Sequence, residues 1–144
     1  MPPKLLVVIN TGPLIALAAA LDDLEALAHV VLRMVVLGEV FTECVAGAPH
    51  DDTADKVRAA TCCDIRPVFS ALPPSLLDML DIGEAAVIHT ALTEGITTVA
   101  IDELKGRRVA RLHDLQVTGS LGMLVMLYQQ GVVPSIEHAI QLSQ

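Results

Sequence analysis

At 144 residues the chain has the length of one ordinary domain, with enough interior for a proper core. Apolar residues make up 53% of it but aromatics only 2%, so the core must be built from Leu, Val, Ile and Ala, a mix that suits parallel strands covered on both faces. The formal charge of −8 argues against a protein that coats nucleic acid through bulk electrostatics, while leaving room for a carboxylate cluster that binds cations and a small basic patch that holds phosphate.

A mean hydropathy of +0.58 implies that some apolar surface is buried in an oligomer. The three cysteines, Cys44, Cys62 and Cys63, show no C-x-x-C pairing, which points to reduced thiols rather than a disulfide framework or a zinc site. The apolar start loosely imitates a signal peptide, but the polar turn Asn10-Thr11-Gly12-Pro13 interrupts it; a strand, a turn and a buried helix fit better, with a cytoplasmic location. No run reaches the roughly 20 apolar residues of a membrane span.

In chain order, Lys4–Ile9 reads as a buried first strand stopped by that turn, and Pro13 opens a helix over Leu14–Ala20. Asp22-Asp23 caps a second helix that carries Leu24 and Leu27 on one face. Met34–Leu37 is a second strand, broken by Gly38, after which Val40, Cys44 and Val45 recur at helical spacing. Asp51–Thr61 reads as an exposed polar helix, and Asp64–Phe69 as a strand that Pro67 assigns to a sheet edge. Ser75 is a candidate cap for a short helix through Leu80. Gly83–Glu94 is an alanine-rich amphipathic helix closed by Gly95, and Thr97–Ile101 is a third clear strand followed at once by Asp102. Lys105–Leu112 predicts a helix, Leu115–Val117 a short strand, Gly119–Gln130 a helix closed by Gly131, and Ser135–Leu142 a last helix. The alternation predicts a three-layer α/β/α fold with a short parallel sheet, in one domain spanning 1–144.

Ligands of open α/β sheets sit beyond the carboxyl ends of the strands. Asn10 and Asp102 end two strands, Glu84 lies in the first turn of the helix leading to the Asp102 strand, and Glu43 follows the second strand. Carboxylates grouped without His or Cys suit hard cations such as Mg²⁺ and Mn²⁺. Each residue also has a plainer reading: Asp102 as a helix cap, Glu84 as a complement to the helix dipole, Glu43 as an exposed helical glutamate, and Asn10 as a turn residue. Lys105, Arg107, Arg108 and Arg111 gather four of the nine basic residues just past Asp102 and are candidate phosphate contacts; the plain alternative pairs them with Glu103 and Asp114. Histidines 29, 50, 89, 113 and 138 show no ligand spacing, and His89 is expected on the outer face of its helix.

Order and spacing together resemble a known family. Val8-Ile-Asn-Thr-Gly-Pro-Leu-Ile15 resembles the opening strand and turn of PIN-domain proteins, and Val40-Phe-Thr-Glu43 fits their second acidic motif. Gly83-Glu-Ala-Ala-Val-Ile-His-Thr-Ala91, then Ile101-Asp102-Glu103, resembles the third and fourth. Lys105-Gly-Arg-Arg-Val-Ala-Arg111 and Val117-Thr-Gly-Ser-Leu-Gly-Met-Leu124 look like a VapC-like prokaryotic subgroup, the DUF3368 type.

The resemblance implies a metal-dependent endoribonuclease in which Asp102, Glu84, Glu43 and Asn10 hold Mg²⁺ or Mn²⁺ and act on RNA. Substrate contacts would come from Thr11, Lys105, Arg107, Arg108, Thr118 and Ser120, of which Thr118 and Ser120 have a second reading as helix caps. It also implies a homodimer and a small antitoxin partner. Asn10 stands where the family usually has Asp, so the site loses one charge and should hold its metal more weakly. The alternative is a weakly active or inactive PIN-like module that binds RNA or a protein. A phosphohydrolase would need a nucleophilic Asp at that strand end, and no P-loop or G-x-G-x-x-G occurs for a nucleotide binder.

Overall fold

In the computed structural model, which describes residues 3–47, 51–69 and 71–143, the aliphatic runs become strands. They are β1 (Leu5–Ile9), β2 (Val31–Val36), β3 (Cys63–Ile65), β4 (Thr98–Ala100) and β5 (Gln116–Thr118). All pair in parallel, in the order β3-β2-β1-β4-β5. Val7, Val8, Ile9, Met34, Val35, Val99 and Ala100 are fully enclosed, as continuous apolar runs between two helical layers should be.

The helices are α1 (Thr11–Ala20), α2 (Gly38–Val45), α3 (Thr53–Ala59), α4 (Pro74–Leu77), α5 (Ile82–Glu94), α6 (Leu104–Leu112), α7 (Ser120–Gln129) and α8 (Ile136–Ser143), with a 3-10 helix over Leu24–His29. Helix α1 packs on α3, α7 and α8, whereas α5 lies against β1 and β4 with α4 alongside. The result is the predicted three-layer α/β/α arrangement. Strand order changes direction between β1 and β4, which opens a crevice at their carboxyl ends.

Several elements differ from the sequence reading for physical reasons. Helix α1 starts at Thr11, so Pro13 is its third residue; the first N–H groups of a helix lack intrahelical partners, and proline there removes nothing. Strand β2 begins three residues early: exposed Leu32 and Arg33 break the apolar run, but pairing with β1 continues past a register shift at Leu32. Pro73, not Ser75, precedes α4. Helix α3 is not wholly exposed: Thr53, Ala54 and Val57 are buried. Nor is α5 amphipathic at its start, since residues 83–88 are all buried. His89 is half-buried with its ring edge-on to Phe69 at 5.2 Å, rather than outward. His50 lies outside the described residues.

Gly95 and Gly131 close α5 and α7 with φ of 69° and 73°, the left-handed conformation that glycine adopts without strain. The end of α1 is closed from a distance: Lys56 Nζ donates to the carbonyls of Ala18 and Leu21 at 2.7 and 2.9 Å. The three cysteines carry no disulfide. No helix among the described residues is long and apolar enough to cross a membrane.

Candidate active site

The ends of β1 and β4 are tied at the crevice, where the Asn10 N–H donates to the Ala100 carbonyl at 2.9 Å. Asn10 occupies the N-cap position of α1, yet its side chain does not cap the helix. The residue is 9% exposed, and its side chain makes no hydrogen bond among the described residues. Its Oδ1 faces Gly83 in the first turn of α5. A Cβ at position 83 would stand 2.7 Å from Glu43 Oε1, 3.3 Å from Asn10 Oδ1 and 3.5 Å from Asp81 Oδ1. Three oxygen atoms, from the starts of α1 and α5 and from α2, therefore face one glycine.

Asp81 was not singled out by the sequence reading. It caps α5 through a capping box: its Oδ1 accepts from the Glu84 N–H at 2.8 Å, and Glu84 Oε1 accepts from the Asp81 N–H at 3.5 Å. The signal was present as Asp81-Ile-Gly-Glu84, the three-residue spacing of that box. The plain reading of Glu84 as a helix-start carboxylate is thus realised for one oxygen. The other, Oε2, is buried without a partner and lies against Gly106 of α6. Burial, and then the Asp81 charge, push the Glu84 carboxyl up to about 6.

Asp102 stands in a second group. Ser120 donates to it twice at 2.9 Å, from its N–H to Oδ1 and from its hydroxyl to Oδ2. The carboxylate therefore docks at the start of α7, and not as the cap of α6, a place held by Glu103. Here too a glycine makes room: a Cβ at Gly119 would lie 2.5 Å from Asp102 Oδ1 and 3.0 Å from Arg107 Nη1. Asp102 borders two grooves, one lined by Gly12 and Ser120, the other by Arg107, Thr118 and Gly122.

The remaining predicted contacts divide. Arg107 Nη1 donates to the Ile101 carbonyl at 2.8 Å and to the Thr118 carbonyl at 3.5 Å, joining the ends of β4 and β5. Thr118 Oγ1 lies 2.9 Å from where a Cβ at Gly122 would be, and Thr11 Oγ1 is buried without a partner. Lys105, Arg108 and Arg111 are exposed and form no ion pair among the described residues, so the pairing with Glu103 and Asp114 is not made.

Among the described residues, no three His, Cys, Asp or Glu side chains are grouped so as to hold a metal ion. The set facing Gly83 is two carboxylates and an amide, and the partnerless Glu84 Oε2 lies against Gly106. Oxygen donors of these types, with one buried anionic oxygen unsatisfied, fit a hard divalent cation. A family model described as DUF3368, PIN domain, matches residues 6–142. Neither the curated proteins nor the solved structures contain a match.

Proposed function

The chain belongs to the PIN-domain family, a nuclease-type fold whose members typically use divalent metals, and from that premise we propose that it is a metal-dependent endoribonuclease cleaving RNA phosphodiesters. One observation carries the reading: Asn10 and Glu43 oxygens face the same glycine, Gly83, and the next residue, Glu84, has one oxygen buried without a partner against Gly106. In this reading Asp102, Glu84, Glu43 and Asn10 hold Mg²⁺ or Mn²⁺. When bound, the cation supplies Lewis acidity that lowers the pKa of a water and polarises the phosphodiester.

The chain's own residues then have separate tasks. Ser120 orients Asp102, and Arg107 keeps the ends of β4 and β5 together beneath it. Exposed Lys105 and Arg108 take backbone phosphates, which positions RNA without reading its sequence. Thr118 supplies a further hydroxyl to the groove beside Asp102, whereas the Thr11 hydroxyl is buried away from it. The reading treats 1–144 as one PIN-like domain acting in the cytoplasm. A homodimer is supported by exposed Leu104, Leu112 and Leu121 together with the high hydropathy, and a small antitoxin partner is part of the same reading.

A second reading, a PIN-like module that binds RNA or a protein without cutting, is favoured by one feature: the uncharged Asn10 in a site without three grouped carboxylates. Hydrolysis of single-stranded RNA with Mn²⁺ separates the two. Cleavage abolished by EDTA and by Asp102→Ala supports the nuclease. RNA binding with no cleavage supports the second reading, and equal cleavage by Asp102→Ala overturns the assigned site.

A further inference from the structure

Asp81 has so far been assigned only the cap of α5, yet its carboxylate oxygen faces Gly83 alongside the oxygens of Glu43 and Asn10. We propose that Asp81 supplies the negative charge that Asn10 lacks, as an additional carboxylate of the cation site over Gly83. The inference rests on the nuclease reading above and adds to it a residue and the reason the site tolerates an amide.

Two observations point there. The first is the convergence of Glu43 Oε1, Asn10 Oδ1 and Asp81 Oδ1 on the position of a Cβ at Gly83. The second is Asn10 itself: an amide side chain nine-tenths buried, without a hydrogen bond among the described residues, aimed into that same position. The Asn10 amide has no partner within the described residues, and a ligand facing Gly83 would supply one.

Capping alone does not call for the charge at position 81. Asn and Ser cap helices about as well as Asp, because the hydrogen bond to the helix N–H needs only an oxygen. A charged cap here also stands next to Glu84, whose second carboxylate oxygen is buried and unpartnered, so two like charges face each other across the capping box. A divalent cation bound by Asp81 and Glu43 offsets the negative charge that Asp81 places next to Glu84. Asn10 then needs to contribute only its carbonyl oxygen.

Calorimetric titration of the full chain with Mn²⁺ tests this, in wild type, Asp81→Asn, Asp81→Ser, Asn10→Asp and the Asn10→Asp/Asp81→Asn double variant. Thermal unfolding in EDTA shows that the neutral caps leave the fold intact. The expected result is a loss of about 10- to 100-fold in Mn²⁺ affinity in both neutral-cap variants. Asn10→Asp binds more tightly than wild type, and the double variant returns toward wild-type affinity because its charge count is restored. Unchanged affinity in both neutral-cap variants makes Asp81 a helix cap only and overturns this inference, while leaving the nuclease reading in place. Absence of Mn²⁺ binding by wild type in the millimolar range overturns both.

Discussion

Ser120 holds both oxygens of Asp102, one through its backbone N–H and one through its hydroxyl, each at 2.9 Å. A residue 18 positions away in sequence thereby fixes the orientation of the carboxylate that ends β4. Removing the hydroxyl leaves the N–H bond, so the carboxylate stays near its place but is free to rotate. Ser120→Ala should cost about 1 kcal/mol of stability or less, because the pair is partly solvated. RNA cleavage should fall by a larger factor than the stability loss accounts for, and Ser120→Thr should recover it. Urea unfolding and cleavage rates on the three proteins check both parts.

Gly83→Ala should separate stability from function. Alanine is the better helix former by up to about 1 kcal/mol, so the variant should unfold at the same or a higher temperature. Its methyl group would press on Glu43 Oε1 at 2.7 Å and crowd Asn10 Oδ1 at 3.3 Å. Glu43 is exposed and can swing aside, which keeps the fold but spreads the oxygen atoms. Mn²⁺ affinity and RNA cleavage should both drop, and wild-type affinity in the variant would show that the oxygens over Gly83 do not bind the cation.

The raised Glu84 carboxyl predicts a pH dependence with a definite sign. Its folded value of about 6 lies above the ordinary 4.5, so between those values the folded state holds more protons than the unfolded one. The contribution is fully present below 4.5 and is lost as pH rises through about 6. At neutral pH without divalent ions, Glu84→Gln should therefore be more stable than wild type, by up to about 2 kcal/mol. The difference should vanish below pH 4.5, and unfolding midpoints in chelator across pH 4–8 measure it.

Lys105 and Arg108 should act on RNA binding rather than on chemistry. Replacing either with Ala should raise KM and reduce the salt dependence of binding by about 0.7 in log–log slope for single-stranded RNA, with kcat little changed. Arg107→Ala should behave differently, because Arg107 bonds carbonyls at the ends of two strands. It should lower the unfolding temperature along with activity. Equal behaviour of all three variants would mean that Arg107 has no separate structural part.

The strands and most helices were legible because aliphatic runs and their punctuating glycines are local signals. Where the reading slipped, the deciding partner lay elsewhere in the chain. The exposed Leu32 and Arg33 hide the start of β2, which shows only when Val31 and Arg33 pair with β1. Residues 83–88 of α5 look like part of an amphipathic helix until α5 is seated against β1 and β4. In the site, the order of Asn10, Glu43, Glu84 and Asp102 carried the family resemblance. What that order did not reveal is that these residues divide between a group over Gly83 and a group at the start of α7. Arg107 was read as a phosphate contact because its carbonyl partners become neighbours only when β4 and β5 pair. Asp81 was missed although its capping-box spacing was readable, since a cap gave it a sufficient reason to be there.

The bond from Asn10 to Ala100 has a temporal consequence. It spans 90 positions, and β1 acquires β4 as a neighbour only through that long-range pairing. Contacts this distant in sequence carry the largest loop-closure cost and form late. Asn10 and Glu43 emerge early during synthesis, but the crevice that would unite them with Asp102 closes only after β4 has been delivered. A nascent chain thus carries Asn10 and Glu43 across the 59 positions from Glu43 to Asp102 without a site to use them.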